Sequence, residues 1–199
     1  YAGVFFQHPN TLFVVSAAEP EPDFGDVECF IPAALGNNLS NVITVGGTRL
    51  DDSRSPTTSF GDAVNISAPA ESVYTPSLGD MYDEFFGGTS ASTPMVTGVA
   101  GLIKAVKPNL TPAQIKNILI RTADPIFAPT GSDEAGKLLG SGCTATTTPS
   151  GQTQRGCRLN AFNAVCDADV LNCQATPPPP SPPVSCPLSG TLASDGTIP

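Results

Sequence analysis

The chain has 199 residues, 40% of them hydrophobic, and carries 9 Lys and Arg against 18 Asp and Glu for a formal charge of -9 at pH 7. That length suits one domain of ordinary size plus a tail, and the acidic balance excludes a nucleic-acid or anionic-membrane surface as the natural partner. No apolar run approaches the roughly 18 residues of a membrane span, while 21 Pro and 19 Gly point to many turns and at least one irregular segment.

The chain opens at Tyr1 directly onto a strand-like stretch, with no initiator Met or leader, and so reads as processed or cut from something longer. Residues 12–18 are a continuous apolar run ending in Ser16, Ala17 and Ala18. A run without alternation predicts a strand buried on both faces of a parallel sheet. Glu19, Pro20, Glu21, Pro22 and Asp23 behind it make an acidic surface loop. Residues 41–48 form a β-branched strand closed by glycines, residues 51–58 are polar, and residues 65–69 are a third short strand stopped by Pro69.

From residue 87 the chain reads Gly-Gly-Thr-Ser-Ala-Ser-Thr-Pro-Met-Val-Thr-Gly. The glycines set the Ser90 hydroxyl where the chain turns into an apolar helix. Free N–H groups at a helix start stabilise an oxyanion developing on an attacked carbonyl, which makes this a nucleophile turn; an isolated Gly-x-Ser would be an ordinary N-cap. Val96, Val99, Ala100, Leu102, Ile103 and Val106 cover much of the helix circumference. The helix is therefore expected to be buried, with Gly98 and Gly101 permitting close backbone approach, and to end before Pro108. Thr111, Pro112 and Gln114 supply the cap, the first-turn proline and the capping-box partner of a second helix, with Ile115, Ile118 and Leu119 inward, running to about residue 123.

Residues 124–154 are turn-rich and polar, residues 159–165 suit a last short helix, and residues 177–183 are a polyproline-type spacer. Strands alternating with loops, followed by a buried helix, imply a layered α/β domain. Cys29, Cys143, Cys157, Cys166, Cys173 and Cys186 contain no Cys-x-x-Cys pair, and His8 is the one histidine. Disulfides in an oxidising compartment are the expected use, not a zinc site, and the pairing stays open. Asn38, Asn65 and Asn109 each head an Asn-x-Ser/Thr triplet; Asn65 opens a buried strand, which leaves Asn38 and Asn109 as acceptors for N-glycans.

Gly88-Thr89-Ser90 with Pro94, Val96 and Gly98 resembles the nucleophile signature of the subtilisin-like serine proteases, Gly-Thr-Ser-x-Ala-x-Pro-x-Val-x-Gly, with Ser92 at the Ala position. Residues 41–48 look like the strand after that family's oxyanion loop, and residues 66–70 like its Ala-Pro-Gly segment with Ala70 for Gly. Residues 110–124 are similar to the helix after the nucleophile helix, and Arg158-Leu159-Asn160-Ala161 to its closing Arg-Val-Asn-Ala stretch. The resemblance runs over about residues 4–166.

It implies a three-layer α/β sandwich with a mostly parallel sheet whose N-terminal part is missing here, residues 1–166 being the C-terminal part of the peptidase domain and residues 167–199 a Pro-rich, Cys-containing tail. It further implies a secreted serine endopeptidase acting on protein or peptide substrates, without a catalytic cofactor, in which Ser90 attacks the peptide carbonyl and forms an acyl-enzyme. Ser16, Ala17 and Ala18 would line one wall of the pocket for the substrate side chain. The acidic loop from Glu19 to Asp26 would be the place for a structural calcium.

Three departures qualify these implications. His8 is followed by Pro9 and Asn10, not Gly and Thr, so it reads as a loop residue, and the Asp and His motifs of the triad would precede Tyr1. Where the family ends its oxyanion strand in Gly-Asn, this chain has Ala18-Glu19, or Glu19-Pro20 if the alignment slips by one. An ionised Glu19 repels an oxyanion, and loss of the amide donor typically costs about a hundred- to thousandfold in turnover. A protonated Glu19 could donate instead, which requires a pKa above the reference of about 4.3 and matches the acidic residue of the related sedolisins. The readings in competition are thus an active subtilisin-type protease, a sedolisin-type acid protease, and an inactive extracellular module that keeps the fold for binding. The third departure is size: a sheet lacking its N-terminal strands has an open apolar edge. Residues 1–199 alone are accordingly expected not to fold cooperatively; a sharp two-state denaturant transition of the isolated chain is the contrary result.

Overall fold

The computed structural model describes residues 2–19, 26–27, 30–127, 139–141, 143, 152 and 154–168. In chain order the elements are α1 (Ala2–Gln7), β1 (Phe13–Ser16), a 3-10 helix (Ala33–Gly36), β2 (Val42–Thr48), β3 (Ile66–Pro69), β4 (Val73–Ser77), β5 (Met81–Phe86), α2 (Thr89–Val106), α3 (Pro112–Arg121), β6 (Asp124–Phe127), β7 (Gln154–Arg158) and α4 (Ala161–Ala168). Five strands make one sheet in the order β1-β2-β3-β7-β6. The first three pairings are parallel, and only β6 runs antiparallel, against β7.

Alternation of side chains across the sheet builds the layers. Ile43 and Val45 of β2 join Ile66 and Ala68 of β3 in a core closed by Val96, Val99, Ala100 and Ile103 of α2, Ile115, Ile118 and Leu119 of α3, and Ala164 of α4. Val42, on the opposite face, packs with Phe5 of α1 and Leu35. Helices thus cover both sides of a mostly parallel sheet, the three-layer α/β arrangement expected from the sequence. Every position of β2 is buried, as befits a central strand.

Several elements differ from their sequence expectation. The N-terminal stretch is not strand-like but helical: Phe5 turns inward and stacks on Phe13 with ring centroids 4.2 Å apart. The Asn41 amide then gathers the carbonyls of Phe5, His8 and Thr11 at 2.9, 3.1 and 3.3 Å, satisfying the end of that short helix. β1 is half-buried at all four positions, not buried on both faces, because it stands at the edge of the described sheet. A Cβ on Gly98 or Gly101 would meet nothing within 4 Å, and Leu102 and Val106 are exposed, so one face of α2 is open where close packing was expected. The polar stretch of residues 124–154 opens with β6 and meets β7 at its last residue, and the last helix lies slightly later than residues 159–165. The spacer at residues 177–183 lies outside the described residues, as does most of the acidic loop.

α3 forms as its cap signals dictate: the Thr111 side chain accepts from Gln114 N–H at 3.3 Å and the Gln114 side chain accepts from Thr111 N–H at 2.8 Å. The Arg-Leu-Asn-Ala stretch owes its residue types to a polar lock. Arg158 donates to Asp52 and, at 3.1 Å, to Asp124, while Asn160 donates to both oxygens of Asp124 at 3.1 Å. Cys143 and Cys157 form a disulfide that ties the segment before β7 to the strand itself, and Cys166 is also disulfide-bonded.

Lys116 reaches from α3 to the carbonyls of Gly36, Leu39 and Val42, closing the 3-10 helix over the sheet. Burial pushes its ammonium from 10.5 down to about 8. The folded protein therefore releases this proton first, and the unfolded chain holds more protons between about pH 8 and 10.5, so folding stability rises with pH across that window. Below it, both states carry the charge and the burial cost is in full effect. Denaturant midpoints of the native protein between pH 7.5 and 10.5 should show this rise, and Lys116→Met should lack it; identical pH slopes would mean that the ammonium is solvated in the fold.

Candidate active site

β1, β2 and β3 all point their carboxyl ends at the start of α2, the place where an open α/β sheet receives ligands. The entry into α2 is shaped by two glycines. Gly88 is the N-cap with φ +76°, a conformation that disfavours any side chain, and its N–H donates to Ala70 O at 2.7 Å. A Cβ on Gly87 would stand 2.7 Å from that same oxygen. The backbone can make this turn only without side chains.

The next four residues alternate sharply in exposure. Thr89, Ala91 and Ser92 are buried, whereas Ser90 is exposed. Ser90 is therefore not the N-cap but the second residue of the helix, presented to solvent by neighbours that anchor the turn. Gly88 has no side chain to cap the helix; its carbonyl accepts from Ala91 N–H at 3.0 Å, and Ser90 stands in the positive first turn. Pro94 lies four residues on and has no N–H to offer the Ser90 carbonyl. Thr93 Oγ1 donates instead to the Thr89 carbonyl at 2.7 Å.

Ser92, the departure from the signature, has a structural use. Its hydroxyl lies 3.0 Å from Ala68 O and 2.9 Å from Pro69 O, sharing its proton with two carbonyls at the end of β3. Gly47 lies alongside, where a Cβ would stand 2.5 Å from Ala70 Cβ but in ordinary contact, 3.6 Å, with Ser92 Oγ. The residue list of the motif did not disclose this bond, because it depends on which strand end meets the helix.

At the end of β1 the ladder continues through Ala17, whose N–H donates to Val45 O at 2.8 Å. Ala18 then adopts φ +66°, a left-handed conformation natural to glycine. This favours aligning Ala18-Glu19, not Glu19-Pro20, with a Gly-Asn pair. A Cβ on Gly88 would lie 3.5 Å from Glu19 Oε1 and 3.9 Å from Ser90 N, so the Glu19 carboxyl sits at the mouth of the helix turn. The side chains of the three small residues divide: Ser16 and Ala18 are half-buried, while Ala17 is fully buried with Val27, Ala33, Ala63 and Val64.

His8 stands in the loop after α1, its carbonyl accepting from Thr11 N–H at 3.0 Å and from Asn41. Among the described residues no three His, Cys, Asp or Glu side chains group as metal ligands, and residues 20–25 of the acidic loop lie outside that set. Asn38 and Asn109 are exposed, whereas Asn65 is buried and accepts from Thr44 N–H at 2.9 Å. The sequence reading passed over the β4–β5 hairpin that leads into Gly87. Its signal was there in Gly79-Asp80 between two β-branched and aromatic runs, offset by Pro76 within the first.

Comparison with known proteins agrees with this geometry. The family model described as the subtilase family matches residues 6–155. An extracellular protease of Xanthomonas campestris pv. campestris is 32% identical over 121 residues, 57% of this chain and 20% of the relative. A cell wall-associated protease of Bacillus subtilis is 31% identical over 157 residues, 70% of this chain and 17% of the relative. The crystal structure of a cold-adapted subtilisin-like serine proteinase superposes with a TM-score of 0.52 at 31% identity, over 65% of this chain and 45% of that one. The chain thus spans about a fifth of these relatives and less than half of the solved structure. With three quarters of its length matched by the family model, the chain belongs to the subtilase family.

Proposed function

We propose that this chain carries the nucleophile and part of the oxyanion site of a secreted subtilisin-type endopeptidase, residues 1–166 being the C-terminal part of its catalytic domain. The observation that carries the reading is Ser90, the exposed residue in the first turn of a helix whose glycine N-cap supplies no capping side chain. Ser90 Oγ attacks the scissile carbonyl, a histidine takes the hydroxyl proton, and the amine leaves with that proton as the acyl-enzyme forms. Water then releases the acid. The resemblance places the histidine and its orienting aspartate in polypeptide that precedes Tyr1, and His8, in the loop after α1, lacks the Gly-Thr that follows the family's catalytic histidine.

Glu19 decides how well the site works. Ionised, it is attracted to the positive end of α2 and occupies the side where an oxyanion must form. Protonated, its O–H can donate to that oxyanion in place of an amide. This carboxyl also supports a second reading, a module that keeps the subtilase fold for binding and has abandoned turnover. A sedolisin-type acid protease is the third, with Glu19 as the acidic donor. Structural calcium in the acidic loop and a substrate wall at Ser16, Ala17 and Ala18 accompany the protease reading.

Fluorophosphonate labelling of the native protein tests it. Wild type should be labelled and Ser90→Ala should not; equal labelling of the two would remove Ser90 as nucleophile. Glu19→Asn should raise kcat near neutral pH by about a hundred- to thousandfold, the worth of one oxyanion donor. A wild type that takes no label at any pH, with Glu19→Asn restoring it, would establish the binding module.

A further inference from the structure

One element stands outside the core. β4 and β5 pair as a two-stranded antiparallel hairpin that leaves the sheet at Ala70 and returns at Gly88, closed by the Gly88 N–H to Ala70 O bond. Of thirteen exposed large hydrophobic residues among those described, six lie in this hairpin: Tyr74, Leu78, Met81, Tyr82, Phe85 and Phe86. Such a concentration on a free element marks an interaction surface.

The register shows which side chains share a face. Pro76 pairs with Tyr82, so the two share a face, and the Tyr74 ring joins them by stacking on Tyr82 with centroids 4.9 Å apart; the register shifts between Asp83 and Phe86, the stretch that holds Glu84. Tyr74, Pro76, Tyr82 and Glu84 are exposed. The opposite face holds the half-buried Val73, Thr75 and Asp83. The usual order is reversed here: the aromatic residues face solvent.

The charge on this arm has one sign. Residues 71–88 contain Glu71, Asp80, Asp83 and Glu84 and no Lys, Arg or His. Glu71 pairs with Arg49 at 3.2 Å and Asp83 accepts from Phe85 N–H at 2.7 Å, whereas Asp80, at the turn, and Glu84, two residues after Tyr82, are exposed. An exposed aromatic pair on an arm whose only charges are carboxylates matches a guanidinium, which can stack on a ring and pair with an acid of the same arm.

We infer that the β4–β5 hairpin is a docking arm for an arginine-bearing, extended segment of the polypeptide substrate, held by Tyr74, Tyr82 and Glu84 while another part of the same polypeptide reaches Ser90. The inference rests on the protease reading for the word substrate. Tyr82 precedes Ser90 by eight residues, so the two lie at most about 28 Å apart. The arginine therefore falls within about eight residues of the bond that is cut.

The test uses the whole native protein carrying Ser90→Ala, so that peptides stay intact, and fluorescence anisotropy with two extended peptides that differ only in one arginine or the neutral isostere citrulline. The arginine peptide should bind about five- to tenfold more tightly, with the difference shrinking at high salt and vanishing in Tyr82→Ala and in Glu84→Gln. Glu84→Gln alters no packing, so it reports even where Tyr82→Ala does not fold. Equal affinity for the two peptides, or a preference that survives Glu84→Gln, overturns the inference. Fluorophosphonate labelling of wild type separates the two claims: labelling without arginine preference sinks the docking arm alone, and hairpin-dependent arginine binding without labelling sinks the protease reading alone.

Discussion

The seating of α2 on the carboxyl ends of β2 and β3 is the contact from which the rest of the site follows. Gly47 leaves room for Ala70 beside the end of β3, and the Ser92 hydroxyl bridges from the helix to the last carbonyls of that strand. With Thr89, Ala91 and Ser92 turned into the protein, the helical repeat leaves Ser90 no direction but outward. Position of the hydroxyl is thus a consequence of packing one residue on either side of it, and the glycine pair before it removes the steric barrier to the turn. The same junction fixes the hairpin, because Ala70 and Gly88 are its two ends.

Electrostatics at that junction bear on the acyl transfer proposed for it. The positive end of α2 would ordinarily be reserved for charge that develops during reaction. Here a carboxyl group already stands beside it, brought there by the left-handed turn at Ala18. A resting negative group at a helix start is favourable for the fold and unfavourable for an oxyanion. The same carboxyl that suits a helix start is thus at odds with the chemistry proposed for Ser90.

How much of this was legible in the residues depends on the range of the interactions involved. The α3 cap was readable because Thr111, Pro112 and Gln114 act within one turn. β2 and β3 were readable because strands buried on both faces must be β-branched or small throughout. α1 was misread: a six-residue helix has little propensity of its own and exists because Phe5 finds Phe13 and Asn41 collects its carbonyls. β6 and β7 were missed for a related reason, since Gln154, Arg155 and Gly156 carry no strand pattern and pair through tertiary contacts and the neighbouring disulfide.

The sequence by itself determined the glycine turn into α2, the family resemblance and the order of the principal strands and helices, because these rest on local backbone preferences and on hydrophobic patterning. Only the tertiary structure decided that Glu19 approaches the helix that bears Ser90, that Ser92 fastens the helix to β3, and that the Tyr74–Tyr82 face stands open. Those three facts depend on distances between segments tens of residues apart. Such distances are set by how the sheet and helices pack, and no short stretch of residues contains them.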